Sequence, residues 1–211
     1  MNFDEIEIIC VGCVIYENLP PTHSPGELHL PNMKQAEIIK IIKKLYTNNS
    51  VHTLSLIKSG IDGLGAIEIA ALLRTNNSLR VLNLRDNNIG TLGADTIARA
   101  LYTNKGLHSL WLSANNIGLD GINAIAMCLS SNNTLQELYL NRNRVCYQGA
   151  ASIAKYLASN NGLHALHLAS NRIHTNGAIK IAYSLRLNNC LQELHLGANL
   201  IGSDGIIELS K

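Results

Sequence analysis

Aromatic residues are scarce in this 211-residue chain: they make up 4% of it, with a single Trp and a single Phe. Any core must therefore come from Leu, Ile and Ala, and with 46% of the residues hydrophobic the chain is long enough to bury a large one. Charge of one sign is also missing. Seventeen Lys and Arg face fifteen Asp and Glu, a formal +2, with no basic stripe, so a nucleic-acid-directed domain is not expected. No apolar run approaches membrane-spanning length, and the opening "MNFDEIEIICVGC" carries acidic residues where a signal peptide needs basic ones. Disulfide-framework spacing is absent as well: five cysteines, an odd number, fit a reducing compartment. These absences predict a soluble, cytoplasmic protein with no membrane and no nucleic-acid partner.

What is present is repetition. Units start at Ser50, Ser78, Gly106, Thr134, Gly162 and Cys190, 28 residues apart, and most end near Asn-Asn. Each reads x-L-x-x-L-x-L-x-x-N-x-I, then a Gly-Ala loop, then x-x-I-A-x-x-L. Period-2 spacing, as at Leu110 and Leu112, predicts a short strand with its leucines inward. The spacing of Ile125, Ala126 and Leu129 predicts a helix. One such unit cannot bury its own leucines, so neighbours must stack and share them. Strands pair about 4.8 Å apart whereas packed helices need about 8–10 Å, so the stack must curve with its strands on the inside.

This pattern resembles the leucine-rich repeat family, in the 28-residue type found in ribonuclease inhibitor, closely over 50–211 and loosely over 24–49. The resemblance implies an α/β solenoid, a horseshoe with parallel strands on the concave face and helices on the convex face. The expected organisation is an N-terminal cap and irregular first repeat over 1–49, then five full units and a partial sixth over 50–211. Before residue 24, "EIEIICVGCVIY" reads as a capping strand or hairpin, and "NLPPTHSPG", with three of the four prolines, as the loop after it. The last unit stops part-way into its helix, which implies either a fragment or an open end that meets something.

Two columns read as structural. Asn87, Asn115, Asn143, Asn171 and Asn199 fall where the strand ends, placed to satisfy backbone groups that the sheet no longer pairs; Ser59 is the shorter substitute in the first unit. Gly65, Gly93, Gly121, Gly149, Gly177 and Gly205 open the helices, allowing positive φ or close approach by the preceding loop. With no Lys-Ser/Thr following, they do not form a phosphate cradle.

Function is expected at the free position between the two leucines, which runs His29, Ser55, Asn83, Trp111, Tyr139, His167 and His195. Trp111 beside Tyr139 forms an exposed aromatic pair of the kind enriched in binding hot spots, unless the two merely favour a sheet surface. Around them lie Arg85, Asp86, Glu137, Asn141, Arg142, Arg144, Arg172 and Glu193. The candidate partner-binding residues are Trp111, Tyr139, His167, His195, Arg85, Asn141, Arg142 and Glu137. His167 and His195 share a column on adjacent strands, but no third ligand is evident, so no metal site is expected. Cys10-x-x-Cys13 is half of a zinc or redox motif without its second half, or simply two buried thiols. Cys128 and Cys190 read as small apolar fillers and Cys146 as more exposed. No catalytic set and no cofactor signature stand out from the repeat.

The expectation is therefore a non-enzymatic protein–protein interaction module that binds through its concave strand surface. Ribonuclease inhibitors present an acidic face to a basic enzyme; here arginine outnumbers carboxylate, which points to a neutral or mildly acidic protein partner. The alternative is a GTPase-activating protein similar to the Ran GTPase activators, which share the 28-residue type. Arg142, Arg144 and Arg172 lie on the appropriate edge for it, and an acidic tail is absent. A short single-domain chain of this family resembles a stand-alone adaptor, or a bacterial effector acting in the host cytosol.

Overall fold

The structure, a computed structural model, describes residues 26–211. Seven strand–helix units follow one another: β1 (Glu27–His29) and α1 (Gln35–Leu45), β2 (Thr53–Ser55) and α2 (Gly63–Thr75), β3 (Val81–Asn83) and α3 (Gly90–Leu101), β4 (Ser109–Trp111) and α4 (Leu119–Cys128), β5 (Glu137–Tyr139) and α5 (Cys146–Leu157), β6 (Ala165–His167) and α6 (His174–Leu185), β7 (Glu193–His195) and α7 (Ser203–Leu209). The strands form one parallel sheet in chain order. Its register aligns the repeat: Leu54 pairs with Leu82, then Leu110, Leu138, Leu166 and Leu194. The step from Leu28 to Leu54 is two residues shorter, as the irregular first unit requires. The fold is the expected α/β leucine-rich repeat solenoid. Cys10, Cys13, His23 and the expected capping hairpin lie outside the described residues.

Each strand is only three residues long, so the sheet alone buries little. The core comes from the leucine pair of each unit, such as Leu110 and Leu112, together with Ile117, Ile125 and Leu129, all fully buried. Every helix packs on the next in the series, and every unit leans on its neighbours.

Buried asparagines close the ladder where the strands stop. Asn143 Oδ1 accepts the backbone N–H groups of Asn115 (3.1 Å) and Ile117 (3.0 Å), while its Nδ2 donates to Leu112 (2.9 Å) and Leu140 (3.0 Å) carbonyls. Asn115, Asn171 and Asn199 reach back in the same way. In the first unit Ser59 Oγ makes the shorter reach, to Leu30 O at 2.9 Å. A second ladder lies beyond the helices, at the Asn-Asn marks that the sequence pattern showed only as punctuation. There Asn132 Nδ2 donates to Leu101 O (2.6 Å) and Asn104 O (3.3 Å), and its Oδ1 caps the Thr134 and Leu135 N–H groups. Asn76, Asn104, Asn160 and Asn188 repeat this arrangement.

The helix glycines do not take positive φ; of the two expected reasons for them, it is close approach by the residue that leads into the helix, together with the neighbouring helix, that applies. A Cβ on Gly177 would lie 2.6 Å from Ile173 Cγ2 and 3.0 Å from Ala150 Cβ on the neighbouring helix. The column lets successive helices touch. Positive φ recurs in other columns, one of them Asn32, Lys58, Asp86, Ala114, Arg142, Ser170 and Ala198, just after each strand. No helix among the described residues is long and apolar enough to cross a membrane. Cys128, Cys146 and Cys190 are free thiols, and burial pushes Cys128 up to about 12.

Candidate functional site

Because the leucines at 110 and 112 point into the core, residue 111 and its equivalents point out of the opposite face of the sheet. Four consecutive units put a ring there. Trp111 and Tyr139 stack with centroids 4.1 Å apart, Tyr139 and His167 at 4.1 Å, and His167 and His195 at 4.3 Å. The strand spacing is somewhat longer than the ring separations, so the rings lean together into one continuous stack.

This corrects the picture of a tryptophan standing in water. Trp111 is half-buried, as is Tyr139. Its Nε1 donates to Ser109 Oγ at 2.8 Å, and Ser109 Oγ donates in turn to Glu137 Oε2 at 2.8 Å. The Tyr139 hydroxyl donates to the same carboxylate oxygen at 3.4 Å. Glu137 thus anchors the polar edges of both rings, and burial with this carboxylate beside it raises the Tyr139 phenol above its ordinary value.

Beside the stack lies a cleft of about 330 Å³. It is built on a grid of three repeat positions. The ring position supplies Trp111, Tyr139 and His167; two residues further on, Arg85, Ser113 and Asn141; and next to those the positive-φ residues Asp86, Ala114 and Arg142. The cleft exists because the fourth unit places small residues, Ser113 and Ala114, between units that place long polar ones. Asp86 and Arg142 line the cleft from left-handed backbone positions on either side of Ala114.

The rim is asymmetric in charge. Arg85 Nε lies 3.1 Å from Asp86 Oδ2 and is largely neutralised by it. Arg142 is exposed and forms no ion pair among the described residues. Asn141 holds the wall by accepting the Ala169 N–H at 2.7 Å through Oδ1. The cleft therefore offers an aromatic wall, one free guanidinium and net positive charge.

Of the eight candidates read from sequence, Arg85, Trp111, Tyr139, Asn141, Arg142 and His167 line this one cleft. Glu137 lies against the polar edges of the rings, and His195 ends the stack. The sequence reading missed the small floor, Ser113-Ala114, and the bridging Ser109. The signal for the floor was available, since both stand in columns where neighbouring units carry Arg, Asp or Asn. Glu193 joins the histidines as well: its Oε1 lies 2.6 Å from His195 Nε2 and 3.6 Å from His167 Nε2.

The chain is a leucine-rich repeat protein. The leucine rich repeat family model matches residues 75–98, 131–154, 159–182 and 187–210. Among solved structures it is similar to leiomodin-1 actin-binding site 2, at TM-score 0.59 and 20% identity, covering 69% of this chain and 83% of that one. It is also similar to the tropomodulin C-terminal domain of Caenorhabditis elegans, at TM-score 0.54 and 18% identity, covering 64% and 83%. No curated protein matches the sequence. These likenesses concern the fold.

Proposed function

We propose that the chain is a non-enzymatic interaction module of the cytosol, an adaptor or a delivered effector, whose concave strand face grips a neutral to mildly acidic protein. The observation that carries this reading is the continuous ring stack from Trp111 to His195 bordered by a cleft with an unpaired Arg142. Flat aromatic surface with a guanidinium at its edge is the residue chemistry of interface hot spots. The ring and rim residues vary freely from unit to unit while the core columns stay fixed, as expected if the face is shaped for contact. The leiomodin-1 domain of the same fold is an actin-binding site, so actin belongs in the first panel of partners. The test is affinity capture by the native chain beside Trp111→Ala, Arg142→Glu and, on the helical side, Tyr183→Ala. A true concave-face partner is lost with the first two and kept with the third. Equal capture by the native chain and all three variants refutes the assignment of the face.

A second reading, a GTPase activator similar to the Ran GTPase activators, draws on Arg142, Arg144 and Arg172. All three are exposed and without an ion pair among the described residues. A GTP-hydrolysis assay over a panel of small GTPases separates the two: acceleration lost in Arg142→Ala or Arg172→Ala supports this reading, and no acceleration ends it.

A further inference from the structure

At the far end of the ring stack three ligand-type atoms converge. One ligand atom each of His167, Glu193 and His195 lies within 4.8 Å of the other two, and both Nε2 atoms face Glu193 Oε1, at 3.6 Å from His167 and 2.6 Å from His195. Their spacing follows from the fold. His167 and His195 are register partners on β6 and β7, and Glu193 stands two residues before His195, which on a strand means the same face. The sequence showed no third ligand beside the two histidines; alternation along the strand is what makes Glu193 one.

We propose that His167, Glu193 and His195 form a binding site for a divalent transition ion, with zinc as the natural occupant, that clips β7 to β6. Two imidazoles and one carboxylate are a donor set that zinc accepts while keeping a position open for water. The independent observation is His167. Its side chain is only 11% exposed, and its Nε2 is buried with no hydrogen-bond partner among the described residues. An orphaned buried ring nitrogen is costly in a folded protein, and coordination satisfies it. Burial, and then the neighbouring His195, push His167 below its ordinary value, against the opposing pull of Glu193 and Glu137.

The geometry requires a modest adjustment on one side only. Zinc–nitrogen and zinc–oxygen bonds of about 2.0–2.2 Å set ligand atoms about 3.3 Å apart around a tetrahedral ion. The separation of 3.6 Å between His167 and Glu193 is close to this, while 2.6 Å between Glu193 and His195 must open. The two imidazole planes lie 17° from parallel, so their lone pairs run side by side and one ring must turn. His167 is held between Tyr139 and His195, whereas His195 and Glu193 are 53% and 54% exposed and can move. The movable groups are the outer two.

The test uses the full chain without a polyhistidine tag, titrated with zinc by calorimetry and with cobalt by visible absorption. Expected are one ion per chain at this site, a raised melting temperature, and cobalt bands free of thiolate charge transfer, which separates the site from Cys10 and Cys13. His167→Phe and His195→Phe keep a ring in the stack and remove the nitrogen; each should weaken binding at least tenfold, and Glu193→Gln should weaken it too. Zinc affinity unchanged in folded His167→Phe, cobalt bands dominated by thiolate charge transfer, or no uptake of zinc at about a hundred micromolar overturns the proposal.

Discussion

Asn143 Oδ1 accepts the backbone N–H of Asn115 at 3.1 Å, one full repeat earlier in the chain. Asn115 in turn donates to Leu84 O at 2.8 Å, so one side chain passes the connection to the next. Asn143→Ala removes its bonds to the Asn115 and Ile117 N–H groups and to the Leu112, Leu140 and Asn141 carbonyls, of which Leu140 keeps its bond from Asn171. The expected loss is about 2–3 kcal/mol, the scale for buried polar groups left unpaired, read from the shift of a urea unfolding midpoint. Asn87 makes equivalent bonds to Leu56 and Leu84 but is half-buried, so Asn87→Ala should cost less. Equal and negligible losses at both sites refute the ladder's energetic role.

Two glycines make opposite predictions. At Gly177 an added Cβ meets Ile173 at 2.6 Å and Ala150 at 3.0 Å, so Gly177→Ala forces α6 away from α5 and should cost about 1–3 kcal/mol. At Gly197 an added Cβ meets nothing within 4 Å, and φ is not in the left-handed region, so Gly197→Ala should fall within about 0.5 kcal/mol of the native protein. Thermal melts of the pair decide it.

Acid sensitivity should show at the start of α2. Asp62 caps this helix by accepting the Leu64 N–H at 2.9 Å and the Gly65 N–H at 3.0 Å. The Gly65 bond is the main cause holding its carboxyl below the ordinary carboxylate value. A pKa lower in the folded than in the unfolded chain means that the unfolded chain binds the proton more readily. The stabilisation is then complete above the unfolded value of about 3.9 and disappears as pH falls through the lower folded value. Asp62→Ala should cost about 1 kcal/mol at neutral pH, and this difference should shrink below about pH 4. A difference that stays constant down to pH 2 contradicts the cap.

The columns that repeat were the legible part of this fold. Leu110, Leu112 and Asn143 each recur at one spacing, and the same physical demand at every turn of the solenoid leaves the same residue in the sequence. The second asparagine ladder was just as regular, yet its partners, such as Leu101 O for Asn132, lie in the preceding unit and no local pattern points to them. The face was legible only in its membership. That Trp111 and His195 end one stack follows from the sheet register, but the lean that brings the rings to 4.1–4.3 Å does not. Nor does the bond from Trp111 to Ser109, which depends on a rotamer. The cleft was least visible of all, because it is made by the absence of side chains at Ser113 and Ala114.

The stack itself supplies the most discriminating experiment. Since Trp111 both stacks on Tyr139 and bonds to Ser109, Trp111→Ala should lower stability by about 1–1.5 kcal/mol, a drop of a few degrees in a chain of this size. Trp111→Phe retains a stacking ring and loses the Nε1 bond, so it should lose less. Binding of a verified partner should respond differently from stability: Trp111→Ala should weaken it about thirtyfold, near 2 kcal/mol, with Trp111→Phe intermediate. Arg142→Glu, at the exposed rim, should leave the melt unchanged, slow association and reduce its dependence on salt. If Trp111→Ala unfolds the chain, the ring belongs to the core rather than the face. If it binds the partner at native affinity while folded, contact lies elsewhere on the solenoid, and the arginine edge at 144 and 172 is the next surface to substitute.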